Sequence, residues 1–181
     1  GPLRFCVKFT YPAIIYGGKD VVETRIITLD AGSQFCKAEV SFAGLDTAAP
    51  LASGVVVHKN NPTAYVLNQT AGYIGYEDLG DASVYNAKYR DELAKTMGRI
   101  YVGTVYAGKL TRVEFQPRES GVAIGHVLGV ATLQPSATYT YYFGTGWSKN
   151  PNTGFNTLTD WEAHLAKTAQ HVKAPLKIKC K

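Results

Sequence analysis

Two histidines occupy predicted strands, where an imidazole can face a concave sheet. His58 ends the run GVVVHKN, and His126 lies within AIGHVLG. A pair of strand histidines combined with a carboxylate is suited to proton transfer on a sugar ring. A hydrogen-bonded core or edge histidine is the alternative for either residue alone. His164 and His171 lie seven residues apart in a predicted helix and are expected to be surface or packing residues.

Residues 72–81 concentrate aromatic and acidic side chains in a short strand and its turn, which contains Tyr73, Tyr76, Glu77, Asp78 and Asp81. Carboxylates accept protons when partly buried and bind calcium when exposed. The segment does not have the Asp-x-Asp-x-Asp-Gly order of a calcium loop, so the match to a calcium site is weak. A solvated turn is the alternative. The pattern therefore nominates Glu77 or Asp78 as a base, with His58 or His126 as the acid.

A glycine-rich turn, YYFGTGWSKNP at residues 141–151, presents Trp147 with little steric cover. Pyranose rings stack on indole and phenol rings, and their hydroxyl or carboxylate groups need donors such as Lys149 or Asn150. Trp147, Tyr73 and Tyr76 are the predicted aromatic platform for a sugar. The alternative is that Trp147 closes one end of the core.

Composition and missing motifs exclude several classes of function. The chain has 181 residues and a net charge of +5, but its Lys and Arg residues are scattered except in the last five positions, which disfavours nucleic acid as a partner. No run approaches the roughly 20 apolar residues of a membrane span. P-loop, dinucleotide-binding, Gly-x-Ser-x-Gly and His-Glu-x-x-His motifs are absent from the sequence.

Cysteine spacing does not indicate a metal or redox site. Cys6, Cys36 and Cys180 are far apart, with no C-x-x-C pair. At most one disulfide can form within the chain. Because Cys6 and Cys36 alternate with apolar neighbours, buried thiols are favoured.

Period-two alternation predicts a chain dominated by antiparallel strands. In the first strand Leu3, Phe5, Val7 and Phe9 are expected to face the core. The predicted strands cover residues 3–10, 21–29, 36–42, 54–58, 64–68, 73–77, 99–106, 109–115, 121–133 and 137–143. Short strands separated by turn residues indicate one domain over residues 1–181, with a β-sandwich or barrel fold.

Helical spacing occurs in two places. Residues 84–97 meet Gly98 and form either a helix or an ordered loop. The later helix has Leu158, Trp161, Leu165, Ala169 and Val172 on one face and a capping-box pattern at Thr159 and Glu162. Pro175 ends it. Residues 176–180 then alternate apolar side chains with lysines, which predicts a closing edge strand.

Five segments resemble a bacterial family of unknown-function domains that is encoded beside polysaccharide-degrading enzymes and grouped with galactose mutarotase-like sandwiches. They read GPLRFCVKFTY, VETRIITLDAGSQFCKAEVSF, GRIYVGTVY, YYFGTGWSK and TDWEAHLAK…PLKIK. The resemblance implies a mostly β, antiparallel supersandwich with a sugar-binding concave face and one C-terminal helix. It also implies pectin-like, uronate-containing substrates and a bacterial periplasmic or cell-surface location.

Mutarotases of the wider group use a histidine acid and a carboxylate base, and the residues able to match are His58, His126, Glu77 and Asp78. Because the chain is shorter than a complete supersandwich, it is expected to be the C-terminal part of a longer protein. The first hypothesis is a lyase, hydrolase or epimerase acting on uronate oligosaccharides. A non-catalytic carbohydrate-binding module and a structural, partner-binding sandwich are the alternatives.

Overall fold

The computed structural model describes residues 1–79 and 96–176. These residues form strands β1 (Arg4–Thr10), β2 (Ile14–Tyr16), β3 (Lys19–Asp30), β4 (Phe35–Ala43), β5 (Ala49–His58), β6 (Tyr65–Asn68), β7 (Tyr73–Leu79), β8 (Arg99–Tyr106), β9 (Arg112–Ser120), β10 (Ala123–Leu133) and β11 (Thr138–Trp147). Helix α1 covers Leu158–Lys173.

Two antiparallel sheets form the molecule. The large sheet has eight strands in the order β1-β3-β4-β11-β8-β7-β6, with β2 also paired to β3, and the small sheet has the order β5-β10-β9. The small sheet contacts the large one chiefly through β5 and β10 against β7 and β8, and through β9 against β6. The predicted antiparallel β-sandwich with a late helix is confirmed.

The core between the sheets is built from alternate residues of facing strands. Val57 of β5 and Val127 of β10 are fully buried, as is Tyr106 of β8. A Cβ atom on Gly129 would lie 2.3 Å from the Tyr106 ring, so glycine makes room for that ring. The Tyr106 hydroxyl donates to the Ser53 carbonyl oxygen at 2.9 Å, which ties the sheets together.

Helix α1 covers the opposite face of the large sheet, over β7 and β8. Its apolar face is the predicted one: Trp161, Leu165 and Ala169 are buried, and Leu158 and Val172 pack around them. Gly75 and Gly103 are paired in neighbouring strands, and a Cβ atom on either would lie 2.6–2.7 Å from the Leu165 side chain. The two glycines therefore allow the helix to pack closely on the sheet.

The start of α1 differs from the prediction. Thr157, not Thr159, is the N-cap, and Asp160, not Glu162, completes the capping box. The Thr157 hydroxyl accepts from the Asp160 N–H at 3.1 Å, and Asp160 accepts from the Thr157 N–H at 2.9 Å. Glu162 instead accepts a hydrogen bond from the Tyr73 hydroxyl at 3.0 Å.

Thr157→Ala is expected to lower the free energy of unfolding by about 1 kcal/mol, because the Asp160 N–H loses its side-chain partner. Chemical denaturation would measure the change. Thr159→Ala is the matched control, since Thr159 lies inside the helix, and it should have a smaller effect. The reverse order would show that Thr159 is the cap.

Strand positions agree with the prediction apart from the short β2 and the limits of three strands. β5 begins at Ala49 rather than near Gly54, and β9 extends to Ser120 rather than ending at Phe115. The missed segments contain Pro50 and Pro117. Both strands lie at the edges of the small sheet, where a residue without an N–H is tolerated. β11 extends to Trp147 rather than ending at Phe143, so Gly144 and Gly146 lie in the strand and not in the predicted turn.

The first strand lies at the edge of the large sheet, so the expectation that its apolar face enters the core is wrong. Leu3 is 77 % exposed and Phe5 is 60 % exposed. The small sheet lies over the β6–β8 side and leaves this margin uncovered. Cys6 is a free, exposed thiol rather than a buried one, and Cys36 is free and half-buried.

Two predicted elements involve residues that the structure does not describe. Most of the predicted element at 84–97 and all but Leu176 of the closing strand lie outside the described residues. Within residues 1–79 and 96–176, no helix is both long enough and apolar enough to cross a bilayer.

Candidate functional site

Strand β7 directs neighbouring carboxylates to opposite faces of the large sheet. Side chains of successive strand residues alternate between the two faces. Ile74 and Tyr76 belong to the core between the sheets, so Asp78 shares that inner face. Tyr73 and Gly75 lie against α1, which places Glu77 on the helix side. Glu77 and Asp78 therefore cannot serve one site together.

Asp78 forms a dyad with His58, which ends β5 in the opposing sheet. His58 Nδ1 lies 2.9 Å from Asp78 Oδ2, and the two side chains are 17 % and 15 % exposed. An ionised carboxylate only accepts hydrogen bonds, so Nδ1–H is the donor. This arrangement leaves Nε2 of the neutral imidazole as the atom that can take up or release a proton.

Tyr76 positions both residues of the dyad through its hydroxyl group. Its hydroxyl accepts the backbone N–H of His58 at 3.1 Å and donates to Asp78 Oδ1 at 3.4 Å. The phenol is almost completely buried, and burial is the main cause that raises the pKa of Tyr76 to about 12. Tyr76 is therefore a positioning residue that remains protonated, and its ring presents no open face to a sugar.

Trp147 lies on the same face of the large sheet as Asp78, and both residues pair with the same residue of the strand between them. Ile100 of β8 pairs with Asp78 on one side and with Trp147 on the other. Two strand spacings separate the Cα atoms of Asp78 and Trp147 by about 10 Å, which corresponds to one or two sugar rings. The indole is 47 % exposed. The register therefore brings the dyad and an aromatic surface to one end of the inner face.

The indole of Trp147 is held in place rather than freely rotating. Its Nε1–H donates to the Met97 carbonyl oxygen at 2.5 Å. The following turn is closed by the Asn150 N–H, which donates to the Trp147 carbonyl oxygen at 3.0 Å. Asn150 Oδ1 accepts the Asn152 N–H, so the amide oxygen is already engaged. Lys149 is exposed.

A cleft of about 320 Å³ lies on this inner face beside the edge of β5. Val102 and Thr145, which form the row next to Ile100 and Trp147, line one end of it. Arg25 and Thr104 add polar groups, and Phe143 adds an aromatic one. The volume lies in the range of small-ligand sites. The dyad and Trp147 form the inner-face site. None of His58, Asp78 and Trp147 lines the cleft, which begins at the next pair of residues along the same face.

Glu77 belongs to a separate ion pair on the helix side, with the half-exposed Arg99. Arg99 Nη1 donates to Glu77 Oε1 at 2.6 Å, and Glu77 is only 5 % exposed. The neighbouring Tyr101 is buried, which raises the pKa of its hydroxyl, and the charge of Glu77 adds to that effect. Glu77 therefore links β7 to β8 and is not placed to accept a proton from a ligand on the inner face.

His126 is not brought to the dyad. It pairs with Val56 of β5 and Gln116 of β9, whereas its neighbour Val127 points into the core. His126 therefore lies on the outer face of the small sheet. Within residues 1–79 and 96–176, it makes no hydrogen bond or ion pair with His58, Glu77 or Asp78.

Tyr73 packs between the large sheet and α1. Its ring is buried against α1, and its hydroxyl donates to Glu162 and accepts from Asn68 Nδ2. Burial raises the pKa of Tyr73. The ring therefore anchors the helix and offers no surface for stacking.

A second cleft, of about 730 Å³, lies on the helix side between α1 and the strands β3 and β4. It contains His164 and His171 but none of the predicted site residues. Its charged groups are largely paired with one another, as in Arg4 with Asp30 and Lys37 with Glu39. Burial lowers the pKa of His164, as does nearby Lys167. The imidazole of His164 stacks on Phe35 and Trp161, as expected for a packing residue.

Metal ligands do not converge in the part of the chain that the structure describes: no three His, Cys, Asp or Glu side chains there could hold one ion. Asp81 of the predicted calcium cluster lies outside the described residues.

The arrangement of the dyad depends on contact between the two sheets. Sequence alternation alone could separate Glu77 from Asp78 but could not identify His58 as the partner of Asp78.

Comparison with family models finds a match for this sequence. The family model described as "Domain of unknown function (DUF4861)" matches residues 1–178. No curated protein matches the chain. Because the match covers nearly the full length, the chain belongs to the DUF4861 family of domains of unknown function.

Proposed function

We propose that the protein acts on uronic-acid-containing oligosaccharides by proton transfer, with His58 as the group that exchanges the proton. The observation that carries this proposal is the 2.9 Å contact between His58 Nδ1 and Asp78 on the same face as Trp147. Asp78 fixes the tautomer and orientation of the imidazole and stabilises its protonated form. Nε2 is left to face the ligand.

The chemistry that suits this arrangement is removal of the proton next to a uronate carboxylate. Nε2 of His58 takes the proton from C5, and the electron pair of that bond is held as an enolate of the carboxylate. This pair forms the C4–C5 double bond as the C4–O bond breaks. The leaving oxygen takes a proton from water, and the resulting hydroxide takes the proton from the imidazolium of His58. In an epimerase the same proton loss is followed by protonation of C5 from the other side. The cation of Lys149, two residues after Trp147, can neutralise the sugar carboxylate.

Hydrolysis by a pair of carboxylates is not supported by the predicted acids. Glycosidases of that kind place two carboxyl groups about 5–9.5 Å apart across one sugar bond. Glu77 and Asp78 lie on opposite faces of the large sheet, and Glu77 is paired with Arg99. Elimination or epimerisation by a single histidine therefore fits the inner-face site better.

The proposal is tested by incubating the protein with pectin-, alginate- and ulvan-derived oligosaccharides, with and without calcium. Elimination gives an unsaturated product that absorbs ultraviolet light, and epimerisation gives deuterium exchange at C5 in D₂O. Either signal supports the proposal. Binding by calorimetry without product would favour a binding module that uses Trp147. The absence of both binding and product would contradict a carbohydrate function.

Trp147→Ala is expected to weaken oligosaccharide affinity by about tenfold or more, because stacking on the indole face is lost. Isothermal titration calorimetry would measure the dissociation constant. Tyr16→Ala is the matched control, because it removes a similarly exposed ring at the far margin of the same sheet. Equal affinity of the wild type and Trp147→Ala would remove the indole from the site.

A further inference from the structure

Within residues 1–79 and 96–176, no second layer covers a group of apolar side chains at the edge of the large sheet. On the inner face its exposed members are Leu3, Phe5, Phe9, Ile14, Tyr16 and Leu29, which we call the apolar margin. Phe5 and Leu29 are paired across β1 and β3, and Ile14 and Tyr16 continue the same face along β2. Stable sheets bury such a face against a second layer.

The exposed apolar area lies at the upper end of the range for a monomer surface and approaches one side of a standard interface. The six side chains of the margin are 37–77 % exposed. They present on the order of 600 Å² in total, taking about 150–250 Å² for a large side chain. The largest patch on a typical monomer covers about 300–600 Å², and a standard interface buries about 800 Å² per partner. The margin is thus large enough to form most of one side of a stable interface.

One end of the margin contains a hollow. A cavity of about 140 Å³ lies next to Ile14 and Tyr16, and its remaining lining comes from Val21, Phe42, Leu45, Ala49, Pro50, Leu51 and Leu133. This lining contains no charged side chain. At the opposite end of the margin Leu3 projects into solvent and is 77 % exposed. A projection and an apolar hollow therefore lie at opposite ends of one surface.

Such a surface is complementary to itself under a two-fold rotation. In a two-fold dimer the same patch is used on both subunits, and opposite ends of the patch meet. The charges on this face are paired. Arg25 is paired with Glu23 and lies over the Tyr11 ring, and Lys19, opposite Tyr16, is paired with Asp46. Arg4 and Lys8 of β1 lie on the other face.

We propose that the apolar margin is the contact surface of a homodimer, in which two copies pack face to face with their margins antiparallel. Leu3 of each copy enters the hollow beside Ile14 and Tyr16 of the other. Each copy thereby supplies the second layer that the other's margin does not have. The assembly is closed, so it ends at two subunits.

Sedimentation equilibrium over a range of concentrations tests the proposal with two matched variants. Phe5→Lys places a charge in the centre of the margin and should raise the dimer dissociation constant at least about 100-fold, equivalent to about 2.8 kcal/mol. Ile15→Lys is the control: Ile15 is 72 % exposed on β2, but alternation places it on the opposite face. It should leave dimerisation unchanged. Circular dichroism would verify that both variants are folded.

A second measurement tests the orientation. Leu3→Cys and Pro50→Cys, each made in a background with the three native cysteines changed to serine, should form a mixed disulfide when combined and oxidised. Each variant alone should remain largely uncrosslinked. A wild-type monomer at every concentration, a dimer that survives Phe5→Lys, or open-ended association would each overturn the proposal.

Discussion

The proposed proton transfer predicts that His58→Ala lowers kcat on uronate oligosaccharides by about 10²–10⁴-fold, the usual contribution of a positioned acid or base. KM should change much less, because Trp147 remains. The loss follows from removing the only ring nitrogen that the dyad leaves free. Steady-state kinetics would give both constants, and added imidazole should partly restore kcat of the alanine variant.

The control for that experiment is His126→Ala. His126 is also a half-buried strand histidine, but it lies on the outer face of the small sheet. Its replacement should leave kcat and KM unchanged. Asp78→Asn should retain the fold and reduce kcat, because the amide no longer stabilises a protonated imidazole. Full activity of His58→Ala would exclude the dyad from the reaction.

Trp161→Ala is expected to lower the free energy of unfolding by about 3–5 kcal/mol. The indole is completely buried, stacks on Phe35 at a centroid distance of 5.7 Å and meets the Phe155 ring edge-on at 5.0 Å. Its Nε1–H also donates to the Val102 carbonyl oxygen at 3.1 Å. Truncation removes these contacts together and leaves a cavity between α1 and the sheet.

Chemical denaturation would measure the effect, with Trp147→Ala as the matched control. The chain has two tryptophans, and Trp147 is the exposed one. Its replacement should lower stability by about 1 kcal/mol, because the half-exposed indole loses one hydrogen bond, to the Met97 carbonyl oxygen. Similar losses in both variants would mean that the helix contributes little to the global stability of the domain.

The sequence predicted the secondary structure well because alternation and turn residues are local signals. The apolar face of α1 was also predictable, since Trp161, Leu165 and Ala169 follow helical spacing. The cap was assigned wrongly because Thr157 and Thr159 both precede an acidic residue by three positions. Only the extended backbone of Thr157 distinguishes the N-cap from a residue inside the helix.

The candidate site was predicted only in part. Periodicity placed His58 at the end of a strand and Asp78 directly after one, but their contact is set by how two sheets stack. Likewise, the alternation of β1 predicted one apolar face, but it could not show whether a second layer covers that face. The same limit applies to Tyr73 and Tyr76, whose aromatic character suits a sugar platform and a core equally well.

The opposite directions of Glu77 and Asp78 make β7 unusually sensitive to changes in length. Deletion of one residue between Tyr73 and Glu77 would move every side chain on one side of the deletion to the opposite face of the sheet. Asp78 would then leave His58, or Glu77 would leave Arg99, so either the contact between the sheets or the ion pair between β7 and β8 would be lost. Members of the family that differ by such a deletion should have lost one of these contacts even where both acidic residues are still present in the sequence.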